Sequence, residues 1–245
     1  MTSNEVKENV VKESERKSSI KSSKDPDISD SKSKRDRLKP LRILIVEPKG
    51  KYCRTVWCAI GIGITHSMLG AIVMTMIIYS ITKGDSHVGL CSVAYHFFSA
   101  EAILSMNYAN GWSSPLRLVH RRFAHVFLQI CALVCAITGF SLITIHKGVS
   151  SSAHGITGIF TTLLALITFL SGPCALFGGR YLKIVHMSFG MPTFLLSSIC
   201  LCFGAFTSGF RSWAGDSIPF IVITMVIFNT SFIIITCFMK CVMRL

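Results

Sequence analysis

Four of the eight histidines, His87, His125, His154 and His186, fall near the ends of long apolar stretches. An imidazole is costly in hydrocarbon, so a histidine placed there points to a site before it points to packing. Imidazole nitrogen is also a common transition-metal ligand at neutral pH. Two histidines on facing helices suit the axial positions of a haem iron. With both positions filled the iron has no open site, which favours electron transfer over oxygen chemistry.

Apolar runs long enough to cross a bilayer must position these residues. Spanning about 30 Å of hydrocarbon takes about 20 residues of helix. Six such runs are expected, at about 56–81, 88–109, 119–145, 153–177, 184–209 and 217–239. Short polar breaks at 83–86, 110–115, 147–152, 178–180 and 211–216 read as turns. The fold class is therefore an all-α membrane protein with six transmembrane helices, its central four forming the bundle that carries the histidines. Residues 51–245 form this transmembrane domain. Residues 1–50 are rich in Lys, Ser, Asp and Glu and almost empty of aromatics, so they read as a disordered basic tail. That tail has no apolar stretch before a cleavage site and so does not read as a signal peptide.

Charge sets the direction. Residues 1–54 hold 15 of the 25 Lys and Arg and 9 of the 12 Asp and Glu, leaving only Asp85, Glu101 and Asp216 as later carboxylates. The net charge of +13 is thus a basic tail plus basic loops, and no nucleic-acid footprint. The tail, Arg117, Arg121, Arg122, Arg180, Lys183, Lys240 and Arg244 share one side; Lys83, Lys147 and Arg211 lie on the other. The more basic side is expected to be cytosolic, with both termini there. His87 and His154 then lie near the outer face, and His125 and His186 near the inner face. The natural pairs are His87 with His154 and His125 with His186, in layers on the order of 20 Å apart. Gly158 and Gly190 follow their histidines by one turn, and Ala132, Ala136 and Gly139 form a small-residue groove beyond His125. Such residues leave room for a flat ring or for helix packing.

The remaining polar residues are less specific. His66 also has a glycine four residues on, Gly70, and periodicity alone leaves it open as a ligand. His96, nine residues past His87, is expected to face away from it. Both read as buried polar residues bonded to neighbouring helices. His120 belongs to the basic loop. Glu101 lies deep in the membrane and would pair with a donor, carry a proton or stay neutral. Gln129 would bond a haem propionate or the next helix. The ten cysteines fall mostly inside apolar runs and contain no C-x-x-C, so they read as small hydrophobes. No nucleotide-binding glycine loop occurs. The sequon at Asn229 sits inside the sixth helix, where it would not be glycosylated.

The order and spacing of several segments resemble the cytochrome b561 family, the ascorbate-reducible transmembrane cytochromes. The resemblance covers about residues 57–240 and is nearest to the small six-helix members without an extra extracellular domain. The segments are His87 with Glu101-Ala-Ile-Leu104 fourteen residues on, Arg122-Phe-Ala-His125 continuing to Gln129, and His146 with Lys147. His154 with Gly155 and Gly158, and Lys183-Ile-Val-His186 with Gly190, complete them. The resemblance implies two haem b groups, held by His87/His154 and His125/His186. It implies an oxidoreductase passing electrons from cytosolic ascorbate to the monodehydroascorbate radical or ferric iron outside. Arg117, Arg121, Arg122 and Lys183 are the candidate donor-binding residues, and His146 and Lys147 the outer-site candidates. A homodimer is a family expectation. The chain departs from the family in having Val88, where many members have proline, and in having Arg122 where family members place a lysine before the third-helix histidine. Arginine keeps the charge and suits a delocalised anion.

Two other classes stay open on the residues alone: a multi-pass transition-metal transporter using buried histidines, and a haem-free membrane scaffold. The bilayer itself, whether endoplasmic reticulum, vesicle or plasma membrane, is not encoded in any motif.

Overall fold

A computed structural model describes residues 49–242. The expected disordered tail and the basic C-terminal residue Arg244 lie outside the described residues, except that Lys49 and Gly50 already belong to the first helix. The chain divides into two units, Met1–Arg54 and Thr55–Leu245, and the helical bundle belongs to the second. Every regular element among the described residues is helical. They are α1 (Lys49–Lys83), α2 (Ser86–Ser105), α3 (Leu118–Lys147), α4 (Ala153–Phe177), α5 (Arg180–Ala205), the short α6 (Ser208–Ala214) and α7 (Ser217–Val242). All but α6 are long and apolar enough to cross a membrane, which makes six spans and a multi-pass membrane protein.

The four histidine-bearing helices form two hairpins. α2 packs along α3, and α4 along α5, while α3 and α4 touch far less. At one end of the first hairpin Lys147 Nζ donates to Asp85 Oδ2 at 2.9 Å, joining the start of α2 to the end of α3. α1 and α7 flank this core. Ile72, Met76 and Tyr79 of α1 bury against Ala205, Val222 and Val226. Ile62 and Leu69 bury against Ala100, Leu104, Phe194 and Ile233. Many apolar side chains elsewhere point outward, as they must where the solvent is lipid.

Three features depart from the periodic reading. The second span ends at Ser105 rather than near 109, and residues 106–117 fold into a connection that buries Asn107, Asn110 and Ser113. The expected turn at 211–216 is mostly the helix α6, because Phe210 and Trp213, three residues apart, both meet the Tyr79 ring edge-on at 5.1 and 5.4 Å. Gly215, at φ +75°, then stops the helix in a backbone conformation that glycine adopts without a steric penalty. Third, the middle of α2, Val93–Ser99, is wound as a π-helix. At roughly 4.4 residues per turn such a segment lags behind α-helical phase.

Candidate functional site

His87 sits in the first turn of α2 and His154 in the first turn of α4. Ser152 caps α4, its hydroxyl accepting from Gly155 N–H at 3.2 Å. The two rings face each other with centroids 6.1 Å apart and planes at 79°. His125, two turns into α3, and His186, two turns into α5, do the same at 6.4 Å and 80°. The pairs expected from depth are thus the pairs the fold brings together. A metal–imidazole bond is about 2.0–2.1 Å and the ring centre lies roughly 1 Å behind the donor nitrogen, so two imidazoles either side of one ion stand about 6 Å apart. Both pairs have that spacing.

The other ring nitrogen of each histidine is tied down. Nδ1 of His87 lies 3.0 Å from Gly139 O, that of His125 2.8 Å from Ala102 O, and that of His154 2.9 Å from Cys200 O. A carbonyl only accepts, so each of these Nδ1 atoms carries the proton and donates it. His186 Nδ1 lies 3.0 Å from Ser171 Oγ. The Ser171 hydroxyl donates its own hydrogen to Thr168 O at 2.7 Å, so its oxygen accepts from His186. All four rings are thereby the Nδ1–H tautomer, leaving Nε2 with a free lone pair. Metal-binding histidines are oriented in this way. The bonds also cross-brace each hairpin. His87 of α2 bonds α3 and His125 of α3 bonds α2; His154 of α4 bonds α5 and His186 of α5 bonds α4. Along α3, α4 and α5 the ligand and the residue bracing the other layer are 14, 17 and 14 residues apart, about 21–25 Å at 1.5 Å per residue.

Gly139 explains one of these bonds. A Cβ there would stand 2.9 Å from Cys91 Sγ and 3.1 Å from Leu90 Cβ. The buried row Ala132, Ala136 and Gly139 therefore includes a close α2–α3 contact that lets Gly139 O reach His87, and the part of the groove at Gly139 is no open berth for a ring. Gly158 has more space, with only Cys200 Sγ at 3.6 Å, and it lines a cavity of about 390 Å³. His87, His154, Gly204, Phe140 and Lys147 line the same cavity. Around His154 the packing is tight: a Cβ on Gly204 would lie 3.1 Å from its Cε1 and 3.3 Å from its Nδ1. Gly204→Val is expected to cost about 1–3 kcal/mol by overpacking, lowering Tm in detergent. Gly63→Val, at a glycine with nothing within 4 Å, should leave it nearly unchanged.

His96 also lines that cavity, against the expectation that it faces away. The π segment is the reason: slower winding between residues 93 and 96 leaves His96 about a third of a turn from His87 instead of half a turn. Its ring bonds the Ser197 backbone and tilts onto Phe194, while Nε2 is buried without a partner. His66 is half-exposed and bonds Glu101 and Asn110. Gln129 accepts from Ser99 on α2, the neighbouring-helix option.

The basic candidates divide. Arg121 is buried, donates to Leu116 O and Ser114 O, and stacks over Tyr108 at 4.4 Å. Its guanidinium pins the α2–α3 connection. Arg117 and Lys183 are exposed and Arg122 is half-buried at the His125/His186 end. Lys147 reaches the mouth of the cavity beside His87 and His154, whereas His146 is exposed and lies outside its lining. Sequence reasoning missed the four bracing acceptors. Three are backbone carbonyls, which leave no mark in a sequence, and Ser171 looks like any membrane serine. Among the described residues no three His, Cys, Asp or Glu side chains group into a site for a bare metal ion. Two facing imidazoles suit instead the axial positions of an ion already held in a macrocycle.

Comparison with known proteins places the chain in a family. The chain is similar to transmembrane reductase CYB561D2 of Mus musculus, 29% identical over 138 residues that make up 51% of this chain and 62% of that protein. It is similarly 29% identical to the Homo sapiens protein of that name over 130 residues, 48% of this chain and 59% of the relative. The match thus spans less than two thirds of these relatives' length. No solved structure matches. The profile of eukaryotic cytochrome b561 matches residues 86–211, just over half of the chain and the whole of both histidine hairpins. The chain belongs to the eukaryotic cytochrome b561 family.

Proposed function

We propose that this protein carries single electrons across a membrane through two haem b groups, held by His125/His186 near the cytosolic face and His87/His154 near the opposite face. The observation that carries the reading is the two pairs of imidazoles, centroids 6.1 and 6.4 Å apart, with every Nδ1 anchored and every Nε2 left with its lone pair. The relatives' name, transmembrane reductase, supports the direction of the chemistry. A haem with two histidine ligands supplies reversible one-electron redox at iron. The chain's own residues do the rest. The Nδ1 bonds hold each imidazole in position and raise its basicity toward the metal that each pair would hold.

The donor is ascorbate, an anion at neutral pH, received at the His125/His186 end by Arg117, Arg122 and Lys183. Arg121 shapes the loop beneath them. At the other end Lys147, held by Asp85, faces a small acceptor such as the monodehydroascorbate radical or ferric iron. Both termini are cytosolic on this reading. Pairwise ligation, with two nitrogens per layer, sets it apart from a metal transporter, which needs more donors around a bare ion.

Rapid mixing tests the donor site. The Arg117→Ala/Arg122→Ala double variant should be reduced by ascorbate at least about tenfold more slowly, the effect of roughly 1.4 kcal/mol of lost anion binding. An uncharged reductant should show no such difference. Equal ascorbate rates in both proteins would remove these arginines from the site. A purified wild-type protein without a low-spin haem spectrum would end the reading altogether.

A further inference from the structure

Glu101 is the only glutamate after Glu47, and it lies within a membrane-spanning helix beside two ring side chains. His66 Nδ1 is 2.6 Å from its Oε1, and Trp112 Nε1 donates to its Oε2 at 2.9 Å. His66 Nε2 is in turn 2.9 Å from Asn110 Oδ1. Both ring nitrogens of His66 therefore face oxygen atoms, an arrangement that an imidazolium beside a carboxylate satisfies. Turning the Asn110 amide over would present Nδ2 instead and accommodate a neutral ring. The arrangement thus has two hydrogen-bonded states that differ by a proton.

Two independent observations give the pair a role. The residue after Glu101 is Ala102, whose carbonyl holds the Nδ1 proton of His125. The pair is one peptide unit from the brace of the inner ligand. In addition, three buried atoms lead from the pair toward the basic end without partners: Asn110 Nδ2, Ser113 Oγ and Arg121 Nη1. All belong to residues at most 4% exposed, and the turn holds them close, since Ser114 N–H donates to Asn110 O and Arg121 Nη2 to Ser114 O. Buried polar atoms of this kind are met by ordered water.

We infer that His66 and Glu101 form a proton-accepting site coupled to the redox state of the His125/His186 centre. Protons reach it from the Arg121 end by way of Ser113, Asn110 and water. The inference rests on the haem reading above. A haem held there would take up one electron from the donor already proposed, and with it a negative charge where the dielectric is low. One proton from water on that side balances it. The hydronium O–H bond breaks, an N–H bond forms at His66 Nε2 as the Asn110 amide turns its oxygen toward it, and Glu101 stays a carboxylate beside the imidazolium. Reoxidation returns the proton by the same route. Other titratable or charged groups on the elements packed here include Cys58 of α1, His96 of α2, Tyr108 of the connection, and Arg121, Arg122 and His125 of α3.

The test is a redox titration of the haem-loaded protein at several pH values. In wild type the inner centre should shift tenfold in its reduction equilibrium per pH unit, about 59 mV for one electron, while the outer centre shifts far less. Glu101→Gln and His66→Gln, which keep hydrogen-bonding side chains, should flatten that slope with both haems retained. A flat wild-type titration, or a slope unchanged in both variants, overturns the inference and leaves the haem reading standing. A wild-type protein that binds no haem overturns both. If the variants fail to load, infrared difference spectra of wild type with ¹⁵N-labelled histidine decide: a labelled imidazolium band appearing on reduction supports the site, and its absence overturns it.

Discussion

His125→Ala is expected to remove the inner centre and leave the outer one. The substitution deletes one of the two imidazoles whose centroids stand 6.4 Å apart, and no group of three such side chains is present to replace it among the described residues. Haem per protein should fall from two to about one, or the inner haem should persist with an open position and a high-spin spectrum. Electron transfer into liposomes carrying an enclosed acceptor should drop by about a hundredfold or more, since a barrier rise of only about 2.7 kcal/mol suffices for that. His87→Ala should remove the outer centre in the same way, and its fall in transfer should match. His120→Ala, at an exposed histidine on the same helix as His125, should change neither quantity. Extraction and counting of haem, together with low-temperature spectra, read the result. Two low-spin haems in His125→Ala would sink the assignment.

Ser171→Ala is expected to weaken the inner centre alone. It is the one brace among the four that mutation can delete, since the other acceptors are backbone carbonyls of Ala102, Gly139 and Cys200. Without the serine oxygen, His186 Nδ1–H keeps only the Thr168 backbone carbonyl as an acceptor, its ring is held less firmly, and its Nε2 becomes less basic. Loss of such an outer partner typically costs about 10–100-fold in metal affinity. A matching loss of inner-haem affinity is the expected result, measured by transfer of haem to an excess of apo-acceptor protein. Ser171→Thr, which keeps a hydroxyl, should recover most of it. Equal loss of both haems in Ser171→Ala would instead mean a general weakening of the α4–α5 hairpin.

Much of this was legible before any coordinates. Length and hydropathy were enough for six spans, because hydrocarbon demands about 20 apolar residues per crossing and leaves no alternative to helix. Charge bias sorted His87, His125, His154 and His186 into two depths, and the facing pairs in the structure are the same. Periodicity failed at His96, where the π-helical Val93–Ser99 breaks the 3.6-residue phase. It failed again at α6, where a polar-looking 211–216 is helical because Phe210 and Trp213 find Tyr79.

The sequence alone determined which residue types sit at roughly which depth, since depth follows from counting along helices long enough to cross the bilayer. It had no means of choosing rotations, partners or hydrogen bonds across helices. Only the tertiary structure decided that Arg121 holds a loop, that Lys147 and not His146 reaches the His87/His154 cavity, and that His66 pairs with Glu101. The same holds for the tautomer of every facing histidine, set by three carbonyls and a hydroxyl on neighbouring helices. Those contacts depend on helix phase and close approach, and both emerge only when the side chains of several helices pack at once.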